Sequence, residues 1–192
     1  MNIGKTHRGK IKIGLDFDGV VAYNPLRIVR GPITYVKRRI FGARKTKFYV
    51  PKSPVMKALF WIPHQFSFLP ERGMEYLRKL VESGDVEVYI VSGRYGYLDD
   101  ELIHWLTKHG YHTLFKEIIV NREDEQPHLF KERQLKNLKL DYFIEDNFDI
   151  VEHLSVQHQG CKILWIYNIL DKHSSYERKY PDLLTALMSI HP

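Results

Sequence analysis

Five short β-rich segments alternate along this chain with segments whose apolar residues recur at helical spacing. The β-rich segments are 12–16, 86–91, 117–120, 141–144 and 162–166, and the helical ones are 71–82, 97–109, 128–138, 150–157 and 181–190. Strands joined by helical crossovers pair in parallel, and the helices then cover both faces of the sheet. The pattern therefore predicts an α/β fold with a Rossmann-like parallel sheet of about five strands.

Polar side chains follow three of these predicted strands. Asp16 and Asp18 come at the end of the first strand, Ser92 follows the second, and Glu145 with Asp146 follows the fourth. The carboxyl ends of parallel strands meet at one edge of the sheet, where ligands of such folds bind. We therefore expect these side chains to form one site.

The pair Asp16 and Asp18, followed by Gly19, indicates a cation site. In a strand the two carboxylates point the same way, and like charges so close repel unless a cation or a proton intervenes. Gly19 allows a sharp turn and the close approach of a ligand. Mg²⁺ favours carboxylate oxygens and keeps positions open for a phosphate oxygen. The alternative is an acidic turn without a ligand.

Four segments together resemble the motifs of the haloacid dehalogenase-like hydrolase superfamily. Leu15-Asp-Phe-Asp-Gly-Val-Val21 resembles the first motif and Val91-Ser-Gly-Arg94 the second. A lysine before the fourth strand would be the third, and Asp141-Tyr-Phe-Ile-Glu-Asp-Asn147 resembles the fourth. The resemblance covers 12 to about 166, apart from the segment between the first two motifs. It implies the sheet order 3-2-1-4-5.

The resemblance assigns roles to the residues of the first two motifs. Asp16 would attack phosphorus and form an aspartyl-phosphate. Asp18 would protonate the leaving oxygen and later activate water, and its backbone carbonyl would ligate Mg²⁺. Ser92, Gly93 and Arg94 would bind the substrate phosphate.

The third and fourth motifs supply a cation and further metal ligands. Lys131 and Lys136 both precede the fourth strand, and Lys131 is preferred as the lysine that neutralises nucleophile and phosphate. Asp146 would ligate the metal directly, and Glu145 through water or as an orienting group. Asp146 and Asn147 also suit the N-terminus of the following helix, and capping does not exclude ligation.

The resemblance implies a Mg²⁺-dependent phosphatase that hydrolyses phosphomonoesters. Nucleotidases and polynucleotide phosphatases of the superfamily share the general size and motif order, so a nucleotide is the leading substrate. The same motifs would also serve a phosphotransferase or mutase. A third possibility is an inactive scaffold that binds nucleic acid or anionic lipid.

Residues 22–70 form a basic insert between a core of 1–21 and 71–192. The insert has ten Lys or Arg and no acid, and we expect a small, mainly helical cap. One helix is predicted around the apolar stripe from Leu26 to Ile40, and another from Ser53-Pro54 up to Pro63. The insert would be a solvated cap, a surface for nucleotide or nucleic-acid phosphates, or a surface for anionic lipid.

Composition bears on the cellular location of the protein and on whether it has a disulfide or a zinc site. A single cysteine, Cys161, excludes an internal disulfide, and no long uncharged stretch predicts a membrane span or a signal peptide. We therefore expect a cytoplasmic protein. The ten histidines show no zinc-type spacing, and His64 and His128 are the two placed where they could contact a substrate.

Overall fold

The computed structural model describes residues 9–25, 50–168 and 171–190 of the chain. In this part of the chain, strands alternate with helices as the sequence predicts. The strands are β1 (Ile11–Leu15), β2 (Ala22–Tyr23), β3 (Leu69–Pro70), β4 (Val86–Tyr95), β5 (Glu117–Asn121), β6 (Tyr142–Glu145), β7 (Lys162–Ile166) and β8 (Lys179–Tyr180). The helices are α1 (Pro54–Gln65), α2 (Met74–Glu82), α3 (Asp99–Lys108), α4 (Pro127–Leu138), α5 (Phe148–Gln157) and α6 (Leu183–Met188).

Six of these strands form one parallel sheet in the order β5-β4-β1-β6-β7-β8. The first five reproduce the order 3-2-1-4-5, which confirms the predicted α/β fold class. The two-residue strand β8 adds a sixth, short edge strand, which the sequence did not indicate. The central strand β1 lies between β4 and β6, so residues that follow these three strands lie at one edge.

The sheet separates two cores, and strands such as β4 and β7 send alternate side chains into both of them. In β4, Val88 and Ile90 pack in the core shared with α2, α3 and α6, whereas Tyr89 and Val91 pack in the core shared with α4 and α5. This alternation follows from the two-residue period of a strand. Helices therefore cover both faces, as expected for a buried parallel sheet.

Strand β4 is longer than predicted. The Ser92-Gly93 pair was expected to end the strand, but β4 continues to Tyr95, which pairs with Asn121 after a register shift. Pairing with β5 overrides the turn tendency of Ser-Gly, because the extended backbone finds its hydrogen-bond partners in the neighbouring strand. Ser92, Gly93 and Arg94 therefore lie within the strand.

A separate two-stranded ribbon brackets the insert. Ala22 pairs with Pro70 and Tyr23 with Leu69 in antiparallel β2 and β3. Helix α1 lies between these two strands in the sequence. Its N-cap is Ser53, whose side chain accepts a 3.3 Å hydrogen bond from Met56 N. The predicted apolar stripe Leu26–Ile40 lies outside the described residues, so the insert as a whole remains a predicted cap.

Helix α1 continues to Gln65, past Pro63, where the sequence placed its end. Contacts with the core hold this last turn: Gln65 Nε2 donates to Glu101 Oε2 at 2.9 Å, and Trp61 also donates to Glu101. The extension places His64 in the final turn of α1. Among the described residues, no helix is both long and apolar enough to cross a membrane.

A methyl group at Gly14 should disturb the sheet at its centre. A Cβ there would overlap Leu140 Cδ1 and lie 2.8 Å from Phe143 Cδ2, and both neighbours are buried. We expect Gly14→Ala to lower the free energy of unfolding by about 1–3 kcal/mol, the usual cost of overpacking. Gly160→Ala, where a Cβ meets nothing within 4 Å, should change it by less than about 0.5 kcal/mol. Urea unfolding of both variants measures the difference, and equal effects would contradict the packing at Gly14.

Candidate active site

Asp16 is fixed at the point where β1 leaves the sheet. Its backbone N–H donates to Ile144 O at 3.0 Å, so the residue is anchored to the neighbouring strand β6. The chain then turns tightly, since Val21 N and Ala22 N both donate to Phe17 O and Gly19 N donates to Ala22 O. Gly19 has φ +82°, a conformation that favours glycine. The turn keeps Asp16 and Asp18 at the carboxyl edge of the sheet.

Lys131 of α4 bridges two acids from different strands. Its Nζ lies 2.9 Å from Asp16 Oδ1 and donates to Glu145 Oε2 at 2.5 Å. The side chain is 1% exposed, and burial disfavours the ammonium, but the two carboxylates outweigh this and raise the pKa of Lys131. Lys136 is exposed and pairs with Glu132. Of the two lysines considered, Lys131 is the one that the structure places beside Asp16.

Three carboxylates converge where a metal ion is expected. Asp16, Glu145 and Asp146 each offer an oxygen, and these atoms lie within 4.8 Å of one another. Glu145 is fully buried, and burial together with the Asp16 and Asp146 carboxylates raises its pKa against the opposing effect of Lys131. Such crowding of like charges is relieved by a bound cation.

The space around Asp146 also supports a metal site at these carboxylates. A Cβ at Gly19 would overlap Asp146 Oδ2, so only glycine leaves room for this carboxylate. Asn147 caps α5 by accepting from Asp149 N at 3.1 Å, so that cap does not require Asp146. The oxygen-only donor set and the room kept for it fit Mg²⁺.

Asp18 carries a separate set of hydrogen bonds. Arg94 donates to both of its oxygens, from Nε at 2.8 Å and from Nη2 at 2.7 Å. Ser67 also donates to Oδ1, and His64 Nδ1 lies 3.2 Å from Oδ2. Burial acts to raise the pKa of Asp18, but Arg94 and His64 outweigh it and hold the pKa well below its usual range. The carboxylate is therefore held in its ionised form.

Of the second-motif residues, Arg94 contacts Asp18 and Gly93 lies near Lys131. Ser92 is 1% exposed, and its Oγ accepts from Arg94 N at 3.2 Å. At Gly93 a Cβ would come within 3.1 Å of Pro127 Cβ, a tight contact, and within an ordinary 3.5 Å of Lys131 Cε, so glycine eases the packing of β4 against the start of α4. The Arg94 guanidinium, assigned by the sequence to phosphate, is paired with Asp18 here. Phosphate binding by these three residues remains a prediction.

Ser67 was not anticipated, and His64 was noted only as one of two histidines placed near a substrate. They lie 49 and 46 residues from Asp18 in sequence, and no motif connects them to it. The sequence held one signal of a contact between the insert and a core acid. The insert contains no acid, so any carboxylate that pairs with its buried polar side chains must come from the core.

A cavity of about 420 Å³ opens next to the partners of Asp18. His64, Ser67 and Arg94 form one side of it, and α3 forms the other. Cavities of this size accommodate small organic ligands. The side contributed by α3 includes Glu101, His104, Trp105 and Lys108.

Solved structures with the same fold come from several bacteria. The putative haloacid dehalogenase hydrolase YfnB of Bacillus subtilis, solved bound to magnesium, is 11% identical, with a TM-score of 0.60 over 94% of this chain and 99% of that chain. A putative beta-phosphoglucomutase of Thermotoga maritima is 15% identical, with a TM-score of 0.59 over 94% and 100%. CbbY of Rhodobacter sphaeroides, in complex with phosphate, is 11% identical, with a TM-score of 0.57 over 92% and 96%.

These matches show the fold of the haloacid dehalogenase-like hydrolases. The resemblance inferred from the four motifs is thereby confirmed at the level of the fold. No protein-family model matches the chain, and no curated protein is significantly similar to it in sequence. At 11–15% identity the activity of the neighbours is not transferred with the fold.

Removal of the Lys131 ammonium should destabilise the metal-free protein. Lys131→Met leaves Asp16 and Glu145 buried without their cation, and breaking such a buried pair costs about 3–5 kcal/mol. Lys136→Met removes an exposed pair with Glu132 and should cost less than about 1 kcal/mol. Urea unfolding in EDTA compares the two variants. Similar decreases in the free energy of unfolding for the two variants would show that Lys131 does not hold the two acids together.

Proposed function

We propose that this chain is a Mg²⁺-dependent phosphatase that hydrolyses phosphomonoesters through an aspartyl-phosphate on Asp16. The observation that carries the proposal is the position of the Asp16 carboxylate. It lies 2.9 Å from the ammonium of Lys131 and within 4.8 Å of oxygens of Glu145 and Asp146, at the carboxyl edge of the sheet. The shared fold with haloacid dehalogenase-like hydrolases supports chemistry on phosphate in general.

Asp16 has the environment of a nucleophile. Lys131 contacts its Oδ1, so attack on phosphorus would come from Oδ2. The nearby ammonium offsets the charge of the carboxylate and would also neutralise charge on the incoming phosphoryl group. The attack forms a bond between Asp16 and phosphorus while the bond to the leaving oxygen breaks.

Asp16, Asp146 and the backbone carbonyl of Asp18 would hold Mg²⁺ directly. When bound, the ion would polarise the phosphoryl oxygens and offset their negative charge. Glu145 fits the indirect role, because Oε2 accepts from Lys131 and Oε1 accepts from Asn147 N at 3.0 Å. This carboxylate therefore orients its neighbours rather than giving both oxygens to the metal.

Asp18 suits the second half of the reaction. Its ionised carboxylate would take a proton from water as that water attacks the aspartyl-phosphate, which releases phosphate and restores Asp16. Protonation of the leaving group in the first half is opposed by Arg94, which holds the carboxylate charged. Proton donation would therefore accompany a loosening of the contacts around Asp18.

A small phosphomonoester, with a nucleotide as the leading candidate, is the substrate we propose. The cavity of about 420 Å³ adjoins the partners of Asp18, where a leaving group would be placed. Its volume suits a small molecule. The choice of a nucleotide rests on the resemblance in size and motif order to nucleotidases, and a panel of phosphomonoesters with Mg²⁺ would rank the candidates.

Two other functions give different results in the same assays. A phosphotransferase would move phosphate to an added acceptor alcohol. The structures with the same fold include a putative beta-phosphoglucomutase of Thermotoga maritima and a beta-phosphoglucomutase of Clostridium difficile. An inactive scaffold would bind nucleic acid or anionic vesicles in a salt-sensitive way without turnover. The residues expected to carry that binding, Arg38, Arg39, Arg44 and Lys45, lie outside the described part of the chain.

Replacement of Asp16 should abolish turnover and leave the fold intact. Asp16→Asn removes the nucleophilic oxygen, and we expect phosphate release to fall by at least about 10³-fold. Asp85→Asn, an exposed change outside the site, should retain wild-type activity. Phosphate release from a nucleotide panel, with circular dichroism as a check of folding, makes the comparison. Near-normal release from Asp16→Asn would refute the mechanism.

Activity should depend on a divalent cation and on Asp146. EDTA should stop turnover and excess Mg²⁺ should restore it. Asp146→Asn removes a ligand charge, and we expect the Mg²⁺ concentration for half-maximal activity to rise by about 10–100-fold. Asp149→Asn changes an acid in the first turn of α5 and should leave this concentration within about twofold. Turnover in EDTA equal to that in Mg²⁺ would contradict the assignment.

A further inference from the structure

Asp18 is held by side chains from two different parts of the chain, a set that we call the Asp18 clamp: Arg94, Ser67 and His64. Arg94 belongs to the core strand β4, whereas Ser67 and His64 belong to the insert. Arg94 binds both oxygens, Ser67 donates to Oδ1, and His64 Nδ1 lies 3.2 Å from Oδ2. Within the described part of the chain, two of the three residues whose side chains bind Asp18 therefore come from the insert.

Both ends of the insert meet at this point. His64 lies in the last turn of α1, and Ser67 follows that helix just before β3. Asn24, next to β2 at the other end of the insert, donates to Ser67 Oγ at 2.9 Å. Ser67 and Asn24 are each 3% exposed, so this connection is shielded from water.

Contacts with the core fix the helix that carries His64. Gln65 and Trp61 both donate to Glu101 of α3, and the Tyr97 hydroxyl donates to Lys57 O at 3.3 Å. The position of the His64 ring is therefore determined by how α1 sits on α3. A shift of α1 would change the contacts to Asp18 even if Arg94 stayed in place.

The clamp leaves the Asp18 carboxylate little rotational freedom. An ionised carboxylate has about four acceptor positions, and the clamp supplies donors to both oxygens from several directions. A base must lie within hydrogen-bond reach of the proton that it removes. A displacement of about 1 Å can lower a rate by about 10²-fold. Because the four donors of the clamp fill these positions, a water that reacts with the aspartyl-phosphate can reach Asp18 only where one contact opens, and the remaining contacts fix the place of the base.

We infer that His64 and Ser67 are positioning residues for Asp18 in the step that hydrolyses the aspartyl-phosphate, so that this step depends on the seating of the insert on the core. The inference rests on the proposed function. In that step, a water oxygen bonds to phosphorus, Asp18 takes the water proton, and the bond from Asp16 to phosphorus breaks. The products are phosphate and a free Asp16 carboxylate.

The test separates the two half-reactions with p-nitrophenyl phosphate, whose leaving group departs without needing a proton donor. The variants are His64→Phe, which keeps a ring without nitrogen, and Ser67→Ala. Rapid mixing measures the first release of nitrophenolate, which reports phosphorylation of Asp16. Acid quenching with intact-mass spectrometry measures decay of the phosphorylated protein.

Both variants should slow decay of the phosphorylated protein by about tenfold or more, while first-turnover nitrophenolate release stays within about threefold of wild type. His64→Asn, whose amide nitrogen occupies the place of Nδ1, and Ser67→Thr should restore most of the decay rate. His112→Phe alters an exposed histidine that does not line the cavity and should behave as wild type. Unchanged decay in the first two variants, or equal slowing of both steps, would overturn the inference.

A measurement without catalysis keeps this inference distinct from the proposed function. Effects of Asp18→Asn and Ser67→Ala on the urea midpoint of unfolding should be non-additive, because the two side chains are in contact. Additive effects would overturn the clamp. A wild-type protein that forms no phosphorylated intermediate would refute the proposed function instead, and the unfolding cycle would still decide whether the clamp exists.

Discussion

The ammonium of Lys131, buried between Asp16 and Glu145, is the interaction on which the site depends. Three carboxylates from the ends of β1 and β6 lie close together at a largely buried edge, and their mutual repulsion would otherwise drive them apart or into the protonated form. Lys131 comes from α4, which is held on the sheet by Phe130 and Leu135. Packing of the apolar face of α4 on the sheet therefore fixes where the Lys131 ammonium lies relative to the three carboxylates.

The two acids of the first motif do not share this cation. Asp16 pairs with Lys131, and Asp18 pairs with Arg94 from a different element. Phe17 lies between them in sequence and is fully buried. The Arg94 guanidinium lies 4.6 Å from its ring centroid, and the ring centroid of Trp105 lies 5.2 Å from it, with the two rings perpendicular. In the proposed mechanism, Asp16 can therefore attack phosphorus while Asp18 is oriented by other partners.

Local sequence signals predicted the sheet because its strands are short apolar runs that end in acids or small residues. The position of β7 was predicted to the residue, whereas the order of the first five strands was implied by the family resemblance. Tertiary pairing explains the failures. Strand β4 passes Ser92-Gly93 because β5 supplies partners, and α1 passes Pro63 because Glu101 binds its last turn.

The site was predictable to the extent that each residue belongs to a strand end. Asp16, Glu145 and Asp146 are such residues. Lys131 was preferred to Lys136 because it lies near the start of a predicted helix, ten residues before Asp141. The contacts of His64 and Ser67 with Asp18 were not predictable, because nothing in the basic composition of the insert says which of its side chains turns toward the core. Charge counts describe a surface, whereas these contacts depend on how α1 is seated on α3.

The pairing of β2 with β3 has a consequence for the evolution of such chains. Because Ala22 lies opposite Pro70, the chain leaves the core and returns to it at nearly the same point. Doubling the length of a flexible connection between two adjacent ends costs only about 0.6 kcal/mol of closure entropy. Whole segments can thus be exchanged between these two strands at little cost to the sheet, provided that the replacement again brings suitable donors to Asp18. Substrate range and core stability can then diverge independently, which lets one catalytic scaffold acquire many different specificities.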